Sequence, residues 1–145
     1  MEEIKMRYYE IKQKNQKKYD DFINNYGFVA FDNGQFEDGK NKLNVKDNKE
    51  LVRVYAGLFL LKEKVDALNG LMVKLDKGLK EKLLNDKVLL KDAFIYELAN
   101  HEYCITYDID DAIDALPFTL QEIKENELLK NTLLEAEKQY LQEVE

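Results

Sequence analysis

Apolar positions 4, 8, 11, 19, 22 and 26, with Asn15 filling the gap, recur at helical spacing and predict one long helix from Glu2 to about Asn25. Its stripe is rich in aromatic residues (Ile4, Tyr8, Ile11, Tyr19, Phe22, Tyr26) and its other faces are charged. Gly27 ends that pattern, and Phe28–Phe31 reads as a short buried strand. Asn33 is placed to cap a brief helix that stops near Gly39, leaving Lys40 to Glu50 as loop or frayed helix. Leu51–Tyr55 and Leu58–Leu61 flank Ala56-Gly57, the pattern of a β-hairpin. Val65, Leu68, Met72 and Leu75 predict a further helix interrupted or ended by Gly78, and Leu83, Leu90, Phe94 and Leu98 predict another from about Lys80 to Asn100.

From Glu102 to Tyr107 the alternation of Tyr103, Ile105 and Tyr107 with Cys104 and Thr106 suggests a short strand or extended connection. Asp108 can then cap a helix whose apolar face is Ile109, Ala112, Ile113 and Leu116, stopped by Pro117. Thr119-Leu-Gln-Glu122 is a capping box that starts the last helical region, with a break expected near Asn126. These elements define an α+β protein, with about five or six helices on an antiparallel sheet of about three strands. A single domain over 1–145 is expected: a long helix over 1–26, sheet and helices over 27–107, and an acidic helical region over 108–145.

Charge divides the chain unevenly. Residues 1–100 hold 19 Lys or Arg against 17 Asp or Glu, whereas residues 101–145 hold 3 against 12. The overall charge of −7 thus collects in the last third, a surface that repels nucleic acid and anionic lipid and favours a basic protein surface. Solubility alone also accounts for such a charged helical face. Cys104 is the only cysteine, so no internal disulfide is possible, and no apolar run is long enough for a membrane span. A cytoplasmic protein is expected.

Candidate chemistry gathers between Phe94 and Leu120. Glu97 and His101, four residues apart on a helix, could join Asp108 as metal ligands or work as a base held by an acid. The favoured reading is that His101 simply caps the carbonyl end of its helix with Glu97 beside it. Asp108, Asp110, Asp111 and Asp114 fail the EF-hand pattern, because Ala112 and Ile113 occupy its fifth and sixth positions. The same acids suit a helix N-terminus, or the contact surface for a basic partner. Cys104 lies in an acidic setting that opposes thiolate formation and reads as structural. Lys12, Lys14, Lys17 and Lys18 are the one basic patch, but Glu10, Asp20 and Asp21 flank it. A small-ligand pocket would draw on Tyr96, Asn100, Tyr103 and Tyr107. No catalytic residue is assigned, and no cofactor or direct nucleic-acid contact is expected. A second copy of the chain remains open as a partner for the Ile4, Tyr8, Ile11 stripe.

Phe28-Val-Ala-Phe31 with Gln35-Phe-Glu-Asp-Gly39, Tyr55-Ala-Gly57, Tyr96-Glu-Leu-Ala-Asn-His-Glu-Tyr-Cys104 and Tyr107-Asp-Ile-Asp-Asp-Ala-Ile-Asp-Ala-Leu116 together resemble a family of small uncharacterised phage and prophage proteins of low-GC bacteria. The resemblance spans nearly the whole chain after the first helix and brings no activity with it. It implies an accessory protein in the host bacterial cytoplasm that binds a host protein, a bacterial defence component being one such target. With the acidic last third, which suits a partner with a basic surface, the leading expectation is a noncatalytic interaction protein. Binding or sequestering a nucleotide is the alternative from another class.

Overall fold

The computed structural model describes residues 7–144, so Ile4 and the start of the expected first helix lie outside the described residues. Its elements run α1 (Tyr8–Tyr26), β1 (Gly27–Val29), α2 (Asn33–Lys42), β2 (Leu51–Tyr55), β3 (Leu58–Leu61), α3 (Val65–Leu84), α4 (Lys87–Asn100), α5 (Tyr103–Thr106), α6 (Asp110–Asp114), α7 (Leu120–Glu125) and α8 (Glu127–Glu143). Single 3₁₀ turns precede β2 and follow β3. The fold is α+β and rich in helix. Its residues pack as two compact units, Lys14–Leu75 and a second one made of the described residues up to Gln13 together with those from Asp76 onward.

The sheet unit is built on the antiparallel order β1-β3-β2, with Phe28 opposite Phe59 and Arg53 opposite the same Phe59. Side chains of β3 alternate between two layers, as a strand requires. Leu58 and Leu60 join Ile23 of α1 and Leu68 of α3 in one buried cluster. On the other side Phe59 stacks on Phe28 with ring centroids 5.5 Å apart, and Phe36 of α2 meets Phe59 edge-on at 5.0 Å. Gly39 explains why α2 outlasts the expected stop: a Cβ there would overlap the Phe28 ring, so glycine serves close packing rather than termination. The cap is Asp32, one residue earlier than expected, accepting from the Gln35 N–H at 2.8 Å.

The helix-rich unit centres on α4, whose Leu89, Leu90, Ala93, Phe94 and Leu98 are buried in one cluster with Leu129, Leu133, Ala136 and Tyr140 of α8. Tyr8 and Ile11 of α1 are buried in the same cluster. Three expectations are corrected here. Gly78 does not interrupt α3, which runs on to Leu84 with open space at Gly78, where a side chain would meet nothing. The helix expected from Lys80 is divided instead at Asn85-Asp86, and Asp86 caps α4 by accepting from the Leu89 N–H at 3.1 Å. Glu102–Tyr107 is no strand: Glu102 (φ 53°) and Tyr107 (φ 52°) are left-handed and bracket one helical turn, which no extended segment tolerates. The capping box at Thr119 forms both of its hydrogen bonds, at 3.1 and 3.2 Å, and Asn126 caps α8.

Candidate functional site

Burying a carboxylate is costly unless donors surround it. Glu97 is 0% exposed, and α4 turns it toward α1. There Tyr8 Oη donates to its Oε2 at 2.5 Å, while Lys12 Nζ reaches both oxygens at 2.9 and 3.0 Å. Asn100 Nδ2 adds a longer contact of 3.4 Å. The same Lys12 ammonium lies over the Tyr96 ring, 5.2 Å from its centroid, and Tyr96 meets Tyr8 edge-on at 5.4 Å. Burial, reinforced by the Glu97 hydroxyl bond and charge, holds the Tyr8 phenol well above its ordinary pKa.

The expected Glu97 and His101 pair is brought close, with His101 Nε2 3.9 Å from Glu97 Oε1. His101 is also the residue at which α4 ends, its backbone N–H bonding to the Glu97 and Ala99 carbonyls. Asp108 does not join them: its N–H bonds to Thr106 Oγ1 at 3.1 Å and its Oδ1 accepts from the Asp110 N–H at 2.9 Å. Among the described residues no three His, Cys, Asp or Glu side chains converge as a metal site would need. Sequence reasoning missed Tyr8 and Lys12 as partners of Glu97. Their i, i+4 spacing puts both on one helical face, but nothing local points that face across 85 residues to α4.

Asp108, Asp110, Asp111 and Asp114 are all exposed, while Ala112, Ile113 and Leu116 beneath them are buried. None of the four makes an ion pair among the described residues. No Lys or Arg occurs from Asp92 to Ile123, and the neighbouring Ile105 and Tyr107 are also exposed. The four residues proposed for a ligand pocket separate into two pairs. Tyr96 and Asn100 belong to the Glu97 cluster, whereas Tyr103 contacts Tyr107 and Tyr140 and donates to Glu137 at 3.2 Å. Burial and Glu137 together raise the Tyr103 phenol. Cys104 is half-buried, its N–H bonding to Tyr140 Oη at 3.4 Å.

Two hollows lie in the sheet unit, where the sequence suggested no site. One of about 510 Å³ is bordered by Val45, Lys49, Glu50, Leu61, Lys62 and Glu63. The other, about 380 Å³, is walled by Phe31, Phe36 and Phe59 with Arg53, Asp32 and Gly57. Phe31, expected to be buried in a strand, lies beyond the end of β1 and is 76% exposed.

The chain is thus a helix-rich α+β protein with a small antiparallel sheet, a buried Glu97 held by Tyr8 and Lys12, and an exposed acidic helix. Residues 7–139 match the model of DUF7659, a family of unknown function, and the chain belongs to that family. No curated protein and no solved structure matches the chain.

Proposed function

We propose that this chain is a noncatalytic phage accessory protein that acts in the host cytoplasm by binding a host protein, a component of a bacterial defence system being the favoured target. The observation carrying this reading is the exposed carboxylate group of Asp108, Asp110, Asp111 and Asp114, unpaired among the described residues and set in a stretch without a single cation. Carboxylates spaced along such a surface can occupy a basic groove shaped for phosphates, and they speed encounter with it. The exposed Ile105 and Tyr107 beside them supply apolar contact area.

The test is capture of host protein by the wild type and by a variant carrying Asp110→Asn, Asp111→Asn and Asp114→Asn. Binding by charge weakens in the variant and with added salt, as the screening length falls from about 10 Å at 0.1 M to about 3 Å at 1 M. The folded state should hardly notice, since Asp110 and Asp111 contribute only roughly 0.3–1 kcal/mol each in the first turn of α6, and Asp114, exposed at its last residue, opposes the helix dipole. Recovery indifferent to both salt and substitution would sink this reading. Small-ligand binding, the second reading, draws its support from the hollow beside Phe31.

A further inference from the structure

We infer that the hollow beside Phe31 binds a nucleoside monophosphate, with the base on the Phe31 ring, the phosphate on Arg53 and the ribose hydroxyls on Asp32. This site takes up the small-ligand reading and uses no residue of the acidic helix.

An exposed phenylalanine ordinarily gains by turning inward. Phe31 is anchored through the backbone on its N-terminal side, just beyond the end of β1. Its own N–H donates to Gln35 Oε1 at 2.8 Å, and the Ala30 N–H before it donates to the Gly57 carbonyl at 2.8 Å. Its ring lies directly on Gly57, where a Cβ would collide with it and where φ is +80°. The hairpin glycine therefore serves two ends, the turn and a seat for an aromatic platform. Phe36 and Phe59 form the rest of the apolar lining.

The polar lining is of two signs that do not neutralise each other. Arg53 sits on β2 opposite Phe59, and among the described residues its guanidinium makes no ion pair. Asp32 borders the same hollow but does not pair with Arg53, and its Oδ1 is engaged by the Gln35 N–H. A planar ring, a fork of donors and a carboxylate acceptor lining one hollow match the recognition needs of a base, a phosphate and a sugar diol. Arginine suits phosphate through its paired donors, and every nucleobase presents a π-face for stacking. A volume of about 380 Å³ lies within the range of small-molecule sites. A single nucleotide is favoured over a strand, since the hollow offers one exposed aromatic ring, Phe31, and one arginine rather than a basic groove with successive stacking platforms.

The full chain is titrated with AMP, adenosine and ribose 5-phosphate, followed by saturation transfer to ligand protons and by amide shifts. AMP is expected to bind about tenfold tighter than either fragment, with its base protons saturated most. Phe31→Ala should weaken AMP and adenosine about tenfold and leave ribose 5-phosphate unchanged. Arg53→Gln should lower AMP to the level of adenosine. Both side chains are exposed, so neither change disturbs the core. The variant lacking Asp110, Asp111 and Asp114 should bind AMP like the wild type, which separates this site from the proposed partner surface. If AMP, GMP and UMP all fail to bind, the site and the ligand reading fall together. Binding of AMP that ignores both Phe31→Ala and Arg53→Gln overturns this site alone and places the nucleotide elsewhere on the chain. An oligothymidylate that outcompetes AMP overturns the assignment to a single nucleotide.

Discussion

Replacing Tyr8 by Phe removes one oxygen from a packed position and leaves the rest of the side chain in place. That oxygen donates at 2.5 Å to a carboxylate that is 0% exposed. Hydrogen bonds to charged groups contribute about 1.5–3 kcal/mol, and Glu97 keeps Lys12 and Asn100 in the variant, so a loss within that range is expected. Urea unfolding followed by circular dichroism reads it as a lower midpoint with an unchanged slope. The pH dependence is the sharper test. The folded pKa of Tyr8 is raised, so its stabilisation is complete below the unfolded value near 10 and is lost as pH rises above it. The variant has no such loss. The gap between the two proteins should therefore hold from pH 7 to about 9.5 and close by about 1.4 kcal/mol for each unit beyond roughly 10. Tyr19, Tyr103 and Tyr140 are also raised, but they are common to both proteins and cancel. A gap under about 0.5 kcal/mol, or one that stays constant to pH 11, would refute the buried hydroxyl-carboxylate bond.

Neighbouring positions on α4 should behave oppositely. Leu90→Ala, at 0% exposure, is expected to cost about 2–5 kcal/mol, whereas Val88→Ala, at 71%, should stay within about 0.5 kcal/mol in the same urea titration. Glu122 bonds to Lys80 Nζ and to the Thr119 N–H, and both hold its carboxyl below the ordinary value. Its stabilisation is thus present above about pH 4.5 and lost as pH falls through the lower folded value. Carboxyl-carbon NMR should find a Glu122 midpoint that rises in Lys80→Met, and an unmoved midpoint would remove Lys80 as the cause.

Elements whose determinants are adjacent in sequence were the readable ones. The hairpin announces itself through β-branched and aromatic residues around Gly57, and the Thr119 box needs only four residues to close. Glycines misled where tertiary packing decided their role. Gly39 answers to the Phe28 ring, and Gly78 sits inside a helix long enough to absorb a cost of about 1 kcal/mol. The turn at 103–106 was hidden because alternating aromatics imitate a strand, while Tyr103 in fact packs on Tyr140 of α8. At the candidate sites, the acidic run could be read directly as charge. The cation opposite Glu97 could not, since Lys12 had the appearance of a surface lysine among others.

The stretch from Asp92 to Ile123 without lysine or arginine has a practical corollary for chemical mapping. Trypsin cuts after Lys91 and next after Lys124, so α4 beyond its first turns, α5 and α6 travel together in one long peptide. Amine-directed crosslinkers find no handle anywhere along it. The acidic helix is therefore silent to the reagents most often used to locate an interface, and carbodiimide labelling of Asp108, Asp110, Asp111 and Asp114 is the chemistry that would see a partner cover it.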